Sequence, residues 1–153
     1  MKILKFIAAI GVSFAAAAIG SIFTVSAIPG WYATLTKPSF NPPNWLFGPA
    51  WTILYFLMGV ALYLVWVASK ENKKTVYIFF FAQLVLNALW SIIFFGGHYL
   101  GFAFFEIIVL WLVILGTGIA FYRISRLASY LLIPYLIWVS FALILNFSLW
   151  KLN

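Results

Sequence analysis

The sequence has no cysteine, one histidine and only two acidic residues. Without cysteine there is no disulfide, no thiolate metal site and no cysteine nucleophile. The single histidine, His98, cannot build a cluster of metal ligands, so no metal site is expected. Charged residues make up 7% of the chain, whereas a soluble domain carries roughly a quarter. A chain so poor in charge cannot cover a water-facing surface, which predicts an integral membrane protein.

Long apolar runs account for most of the sequence, which is 67% hydrophobic. A membrane-spanning helix needs about 20 apolar residues. The first run is too long for the apolar core of a signal peptide, about 7–15 residues, so we expect an uncleaved first helix. The pattern predicts an all-α integral membrane protein, a five-transmembrane-helix bundle that forms a single domain over residues 1–153. The predicted spans are 4–28, 45–68, 76–95, 102–122 and 128–150.

Basic residues lie at the ends of these runs and give a net charge of +7. There they meet anionic lipid head groups, so we expect a lipid bilayer and no nucleic acid as partner. Seven of them fall at the N-terminus and in the second and fourth connections, against Lys37 and Lys151 on the other side. The positive-inside rule then predicts a multi-pass protein of the cytoplasmic membrane, with the N-terminus inside and the C-terminus outside.

The first connection is unusually rich in proline and aromatic residues. We expect Pro29 to end the first helix, leaving a loop over residues 29–44. Proline fixes φ and restricts the preceding residue, so the chain at Pro38 and at Pro42-Pro43 cannot be helical. This loop is predicted to form a stiff lid on the outer side, over something flat and aromatic.

Aromatic and amide side chains share one face on three of the predicted spans, by helical spacing. Amides are costly in hydrocarbon, so they should face the bundle interior. Two interpretations stay open, namely interhelical hydrogen bonds and the lining of a cavity. The faces are Trp51, Tyr55, Met58 and Leu62; Gln83, Asn87, Trp90, Ser91 and Phe94; and Trp138, Ala142, Leu145 and Asn146.

Trp51 and Trp138 lie in the outer halves of their spans, where they could flank a planar ligand. Glu106 is the one acid inside a span, for which a structural role is favoured over proton relay. His98, in a Gly-rich loop, could ligate a haem iron but is more simply an exposed side chain. Pro134 is expected to bend the last helix around a pocket.

Three stretches resemble the tryptophan-rich sensory protein/translocator protein (TspO/MBR) family. They are WYATLTKPSFNPPNWLFGPAWTILYFLMGVALYLVW, LNALWSIIFFG and IPYLIWVSFALILNFSLWKLN. The combination WY-x-x-L-x-KP-x-x-x-PP, FGP-x-W and PY-x-x-W is specific, and the resemblance covers all five predicted spans. The size of the chain resembles that of prokaryotic members.

The resemblance implies a bundle, often homodimeric, that binds tetrapyrroles such as protoporphyrin IX under the first loop, with no cofactor required. It also implies binding of isoquinoline carboxamide and benzodiazepine ligands. Some bacterial members degrade protoporphyrin in light, which would make Trp51 and Trp138 photochemical residues and leaves open whether the chain is an enzyme. The implied ligand-binding residues are Tyr32, Pro42, Phe47, Trp51, Tyr55, Asn87, Trp90, Ser91, Trp138, Ala142 and Leu145.

The animal members' sterol motif is incomplete here, because Phe147 replaces its central tyrosine between Leu145 and Lys151. Tight sterol binding is therefore not expected. The leading hypothesis is a porphyrin-binding protein that senses, buffers or photochemically degrades its ligand. Alternatives are a transporter or exporter of porphyrins or other amphipathic ligands such as sterols, and a partner protein that acts through a dimer face. An odd number of spans without internal repeats gives little support to transport.

Overall fold

The computed structural model describes residues 1–70 and 73–153. Within them, five helices are long and apolar enough to cross a membrane, and no strand occurs. This confirms the predicted all-α, five-helix class. Glu71 and Asn72, in the predicted second connection, lie outside the described residues. We label the helices α1 (Lys2–Tyr32), α2 (Asn44–Ala68), α3 (Lys74–Gly96), α4 (Leu100–Tyr122) and α5 (Arg126–Leu152).

The predicted end of α1 at Pro29 is wrong. The regular α-helix Lys2–Ala27 passes into a π-helical turn, Ile28–Tyr32, and helical backbone continues to Thr34. Proline is tolerated within membrane helices where local π geometry satisfies the backbone groups that it frees. The first loop is therefore residues 35–43 rather than 29–44, and we call these residues the lid. The lid is non-helical around Pro38 and through Pro42-Pro43, as predicted.

The end of α3 nearest the lid is also π-helical, over Ile92–Gly96. The Gly97 amide donates to the carbonyl of Ile92 at 2.8 Å, five residues back. The wider turn changes which side chains face inward, so that the consecutive residues Phe94 and Phe95 are both buried. An ideal helix would turn the second of them by about 100° relative to the first.

The last helix bends close to Pro134, as the sequence predicted. A short segment, Arg126–Tyr130, is joined through a turn to the longer helix Ile133–Leu152. Pro134 stands at the start of the longer segment, where its missing N–H costs least. The Ser129 hydroxyl donates to the Gly118 carbonyl at 2.8 Å and fixes the short segment against α4.

The five helices form a ring in the order α1, α2, α5, α4, α3. Helix α1 packs on α2 and α3, helix α4 packs on α3 and α5, and α2 meets the first turn of α5. Small residues allow the closest approaches. A Cβ on Gly59 would lie 2.6 Å from Ile10 Cδ1, and one on Gly20 would lie 3.2 Å from Ser91 Oγ. These contacts hold α1 tightly against both of its neighbours.

Candidate ligand-binding cavity

A cavity of about 450 Å³ lies inside the ring, in the half of the bundle beneath the lid. Helices α1, α2, α3 and α5 form its wall, and α4 contributes none of the lining residues. Its volume lies within the range of small-molecule sites, roughly 300–1,000 Å³. Every implied ligand-binding residue except Pro42 lies on this wall. Those brought together are Tyr32, Phe47, Trp51, Tyr55, Asn87, Trp90, Ser91, Trp138, Ala142 and Leu145.

The deepest polar group on the wall is the amide of Asn87. The Tyr55 hydroxyl donates to Asn87 Oδ1 at 2.6 Å, and Asn87 Nδ2 donates to the Tyr135 hydroxyl at 2.7 Å. All three residues are buried, and they join α2, α3 and α5. Tyr135 itself does not line the cavity. Both interpretations of Asn87 therefore hold, since it makes interhelical hydrogen bonds and lines the cavity.

The other two interior amides differ from Asn87. Asn146 accepts from Trp90 Nε1 at 3.1 Å and donates to the Leu100 carbonyl at 2.9 Å. Its amide thus ties α5 to α3 and to the start of α4, although it also reaches the cavity wall. Gln83 lies deeper than the cavity, where Nε2 contacts the Met58 sulfur at 4.0 Å. Its Oε1 is buried and has no hydrogen-bond partner in the part of the chain that the structure describes.

Trp51 and Trp138 lie side by side rather than facing each other across the cavity. Their ring centroids are 6.4 Å apart and their planes meet at 85°. A planar ligand cannot be sandwiched between two perpendicular rings in edge-to-face contact. The expectation that these indoles flank a ligand stays a prediction, and in this arrangement it cannot take the form of a sandwich. A ligand that stacks on one of them meets the edge of the other.

The opposite wall is a second aromatic cluster, on α3. Trp90 stacks on Phe94 with centroids 4.8 Å apart and planes at 26°, and Phe95 contacts both rings edge-on. Helical spacing placed Phe94 on the inner face, but it missed Phe95. A π-helical turn at Ile92–Gly96 has no clear sequence signature beyond the following Gly96-Gly97 pair. The cavity is thus aromatic on two sides.

The lid closes the adjacent end of the cavity through polar and aromatic contacts. The Tyr32 hydroxyl donates to Asn41 Oδ1 at 2.6 Å, and Phe40 packs edge-on against Phe141 with centroids 6.3 Å apart. Asn153 makes a pair of bonds to the backbone of Thr36, accepting from its N–H and donating to its carbonyl, each at 2.9 Å. The lid is therefore fastened both to the end of α1 and to the end of α5.

Pro42 does not reach the cavity wall. Its carbonyl accepts from Asn41 Nδ2 at 3.1 Å within the lid. Because α1 continues past Pro29, the side chain of Tyr32 stands beneath the lid, and it packs edge-on against Phe47. These two rings, rather than the lid prolines, form the outer end of the cavity wall.

Helix α1 supplies a wall that sequence analysis missed. This helix carries three pairs of small residues spaced four apart, and they point in different directions: Ala16 and Gly20 are buried, Gly11 and Ala15 are exposed, and Ala17 lies on the cavity wall. Such pairs usually serve close helix packing. Here they also leave room for a cavity, a role that composition alone does not distinguish from packing.

The cavity opens sideways between α1 and α2. Several of its lining residues on these two helices are exposed on the bundle surface, at the level of the membrane-spanning segments. We call this opening the mouth. Because spanning helices are surrounded by lipid, the mouth faces the hydrocarbon of the bilayer. The mouth residues are Ala18, Ser21, Val25, Gly48 and Thr52.

No lysine, arginine, histidine, aspartate or glutamate among the described residues lines the cavity. His98 is exposed, has a left-handed φ of 60° and stacks on Trp31 at 4.1 Å between centroids. Both carboxyl oxygens of Glu106 are buried without a hydrogen-bond partner among the described residues. No group of three potential metal ligands occurs within residues 1–70 and 73–153.

Comparisons with known proteins cover almost the whole chain. A family model described as the TspO/MBR family matches residues 9–151. The chain is 47% identical over 153 residues to the Tryptophan-rich protein TspO of Archaeoglobus fulgidus, covering 100% of this chain and 99% of that protein. It is 46% identical over 154 residues to the protein of the same name from Chlorobaculum tepidum, at 99% and 98% coverage. It is 39% identical over 138 residues to the Translocator protein of Homo sapiens, at 88% and 82% coverage.

Proposed function

The chain belongs to the TspO/MBR family of multi-pass membrane proteins, and from this premise we propose that it binds a flat tetrapyrrole such as protoporphyrin IX in the cavity. The observation that carries the proposal is the composition of the wall. Aromatic rings stand on two sides, the Asn87 amide lies at the inner end, and no charged side chain lines it. Such a wall favours a large planar aromatic molecule with few polar groups.

The same contacts support a position for the proposed ligand. The macrocycle would stack on one aromatic wall and place a ring-edge polar group towards Asn87, which keeps one N–H unused by Tyr135. Its acidic side chains would remain at the outer rim, where Lys37 lies 5.1 Å from the Tyr32 ring. Planar drug-like compounds of the isoquinoline carboxamide and benzodiazepine types fit the same wall. The role that follows is porphyrin sensing, buffering or light-dependent degradation.

Light-dependent degradation is supported by a continuous series of oxidisable rings. Trp51 contacts Trp138, and it also lies 5.7 Å from the Tyr55 ring and 6.3 Å from the Tyr135 ring. An excited macrocycle would accept one electron from the stacked indole, giving a macrocycle radical anion and an indole radical cation. A neighbouring ring could then reduce that indole and carry the positive charge away from the macrocycle. Dioxygen would add to the macrocycle radical anion, and the adduct would return one electron to the oxidised ring, which leaves a neutral peroxide of the macrocycle and restores the ring.

Binding and chemistry can be separated by phenylalanine substitutions. Trp51→Phe and Trp138→Phe keep an aromatic surface, so we expect most binding to remain while light-driven loss of protoporphyrin IX slows strongly. Trp111→Phe is the matched control, because Trp111 lies off the cavity wall and donates to Ser140 at 2.8 Å. The measurements are Kd from quenching of tryptophan fluorescence in the dark and the bleaching rate under illumination. If the bleaching rate is unchanged in both cavity variants, then the two indoles help to bind the macrocycle but take no part in its degradation.

The same titration tests whether a histidine is needed. His98→Ala should bind protoporphyrin IX as the unmodified protein does, since His98 stacks on Trp31 outside the cavity. A loss of affinity above about tenfold, or 1.4 kcal/mol, would show that ligation to His98 outweighs stacking.

Transport remains the second candidate, favoured by the membrane-facing mouth. It predicts movement of ligand across the membrane of sealed vesicles that contain only this protein.

Homodimers are also proposed, because Gly11 and Ala15 leave an exposed strip of small residues on α1 that suits close packing against a second copy. Vesicle flux and crosslinking in the membrane test these two proposals separately from binding.

A further inference from the structure

A second hollow, of about 290 Å³, lies on the outside of the bundle between α4 and α5. It shares no lining residue with the cavity and lies at the opposite end of the spans. We call it the α4–α5 groove. Its sides are aliphatic, and they are formed chiefly by Ile114, Leu115, Ile119, Leu132, Ile133 and Leu136.

Local backbone features explain why a hollow exists there. Gly118 has no side chain to fill it, and a Cβ at that position would meet only Ser129 Oγ, at 3.8 Å. The hydrogen bond from Ser129 to the Gly118 carbonyl holds the short first segment of α5 against α4. The turn before Pro134 then redirects the rest of α5. Because a backbone carbonyl and one short side chain fix the contact between α4 and α5, the groove is a constant feature of the fold.

Positive charge stands at one end of this groove. Arg123 is among its lining residues, and the Arg126 guanidinium lies 5.5 Å from the Tyr122 ring, which also lines the groove. The sequence has no acid between Ile107 and Asn153. Within the part of the chain that the structure describes, neither arginine forms an ion pair. Among the described residues, the groove therefore combines an aliphatic slot with a cation that no acidic side chain pairs.

We propose that the α4–α5 groove binds an anionic phospholipid of the surrounding bilayer. One acyl chain lies in the slot beside Gly118, and the phosphate meets Arg123, with Arg126 adjacent. A guanidinium suits phosphate oxygens because its N–H groups can form two parallel bonds to them. Basic pockets between spanning helices are a recognised way to hold anionic head groups. A zwitterionic lipid offers the same tails but no net charge.

The test measures retention of single lipids by the purified full-length chain in detergent, using native mass spectrometry. Dioleoyl phosphatidylglycerol and dioleoyl phosphatidylcholine are compared because their acyl chains are identical. We expect the first to be retained preferentially, and Arg123→Gln to lower its retention about fivefold, the value of one basic residue near a membrane surface. Arg123→Lys, which keeps the charge, should restore most of it.

Two further variants test the slot and the specificity of the charge. Gly118→Leu and Ile119→Trp place bulk in or beside the slot, and each should reduce retention although Arg123 remains. Lys5→Gln is the control, since Lys5 lies near the same end of the bundle but over the Trp66 ring, outside the groove. Protoporphyrin IX binding and the thermal midpoint in the same samples show whether each variant is folded.

Several results would overturn the proposal. Equal retention of the two lipids would show that the arginines play no part, and so would an Arg123→Gln effect no larger than that of Lys5→Gln. Unchanged retention in both slot variants would place the lipid elsewhere. Displacement of phosphatidylglycerol by equimolar inorganic phosphate would indicate a free-anion site, and its displacement by equimolar cholesterol would indicate a sterol groove.

Discussion

Replacing Asn87 by leucine removes the one side chain that joins Tyr55 to Tyr135. Its amide accepts from the first hydroxyl at 2.6 Å and donates to the second at 2.7 Å, so three helices lose a common link. Leucine keeps a similar volume, which limits cavity effects. We therefore expect a loss of stability that comes mainly from two hydrogen bonds and from two buried hydroxyls left unpaired.

The size of that loss can be estimated from interhelical hydrogen bonds in membranes, about 0.6–2 kcal/mol each. Tyr135→Phe should lower the free energy of unfolding by one such amount, and Asn87→Leu by about 1–4 kcal/mol. In the Tyr135→Phe background, Asn87→Leu has one bond fewer to remove. The double variant should therefore be less destabilised than the sum of the singles, with a coupling energy close to one bond.

The assay is reversible unfolding of the purified protein in mixed detergent micelles, with helix content as the readout. If the two single effects add to within about 0.3–0.5 kcal/mol, then the residues are not coupled and the network does not exist as described. Ligand titration provides a second readout. Asn87 lines the cavity and Tyr135 does not, so Asn87→Leu should weaken protoporphyrin IX binding, whereas Tyr135→Phe should change stability alone.

Three shorter predictions concern the lid, the mouth and the membrane topology. Asn153→Ala removes two hydrogen bonds to the lid and should speed ligand dissociation roughly tenfold in stopped-flow. The control, Ser148→Ala, loses only a bond within its own helix and should leave the dissociation rate unchanged. Equal dissociation rates in the two variants would mean that the lid does not hold the ligand. Thr52→Trp at the mouth should slow association, unlike Ile53→Trp, which faces lipid off the cavity wall; unchanged association would point to entry through the lid. In intact cells, an impermeant thiol reagent should label a cysteine placed at Asn153 and not one at Asn72, and the opposite labelling would invert the topology.

Side-chain periodicity was sufficient to predict most of the cavity wall on α3 and α5 and part of it on α2, but none of it on α1. Regular α-helical spacing placed Trp51 and Tyr55 on one face of α2, and Asn87 and Trp90 on one face of α3, and these faces do meet. This prediction worked because the helices keep 3.6 residues per turn over most of each span. The hydropathy pattern likewise gave five spans, since each run is long enough to cross a membrane without a break.

The errors fall where backbone geometry departs from that period. Proline normally ends a helix in water, which led to the wrong end of α1 at Pro29. Within a spanning segment the backbone cannot turn to solvent, so a π-helical turn carries α1 on to Tyr32. A similar turn brings Phe95 inward on α3. Neither change alters hydropathy, and so neither could be predicted from the pattern.

Ring orientation is the other property that a sequence does not contain, and it has the larger consequence for function. Two tryptophans at corresponding depths on α2 and α5 can form a sandwich or an edge-to-face pair, and only packing decides between them. Here Phe47 and Phe141 pack against Trp138 from other directions, and its plane stands at 85° to that of Trp51. A stacked macrocycle would therefore use one indole as its surface, while the second indole touches the first edge-on. The two would then have different roles in light, one as the direct electron donor and the other as the ring to which the positive charge moves. Phenylalanine at the donor should prevent charge separation, whereas phenylalanine at the second position should shorten the lifetime of the separated charges and slow bleaching less.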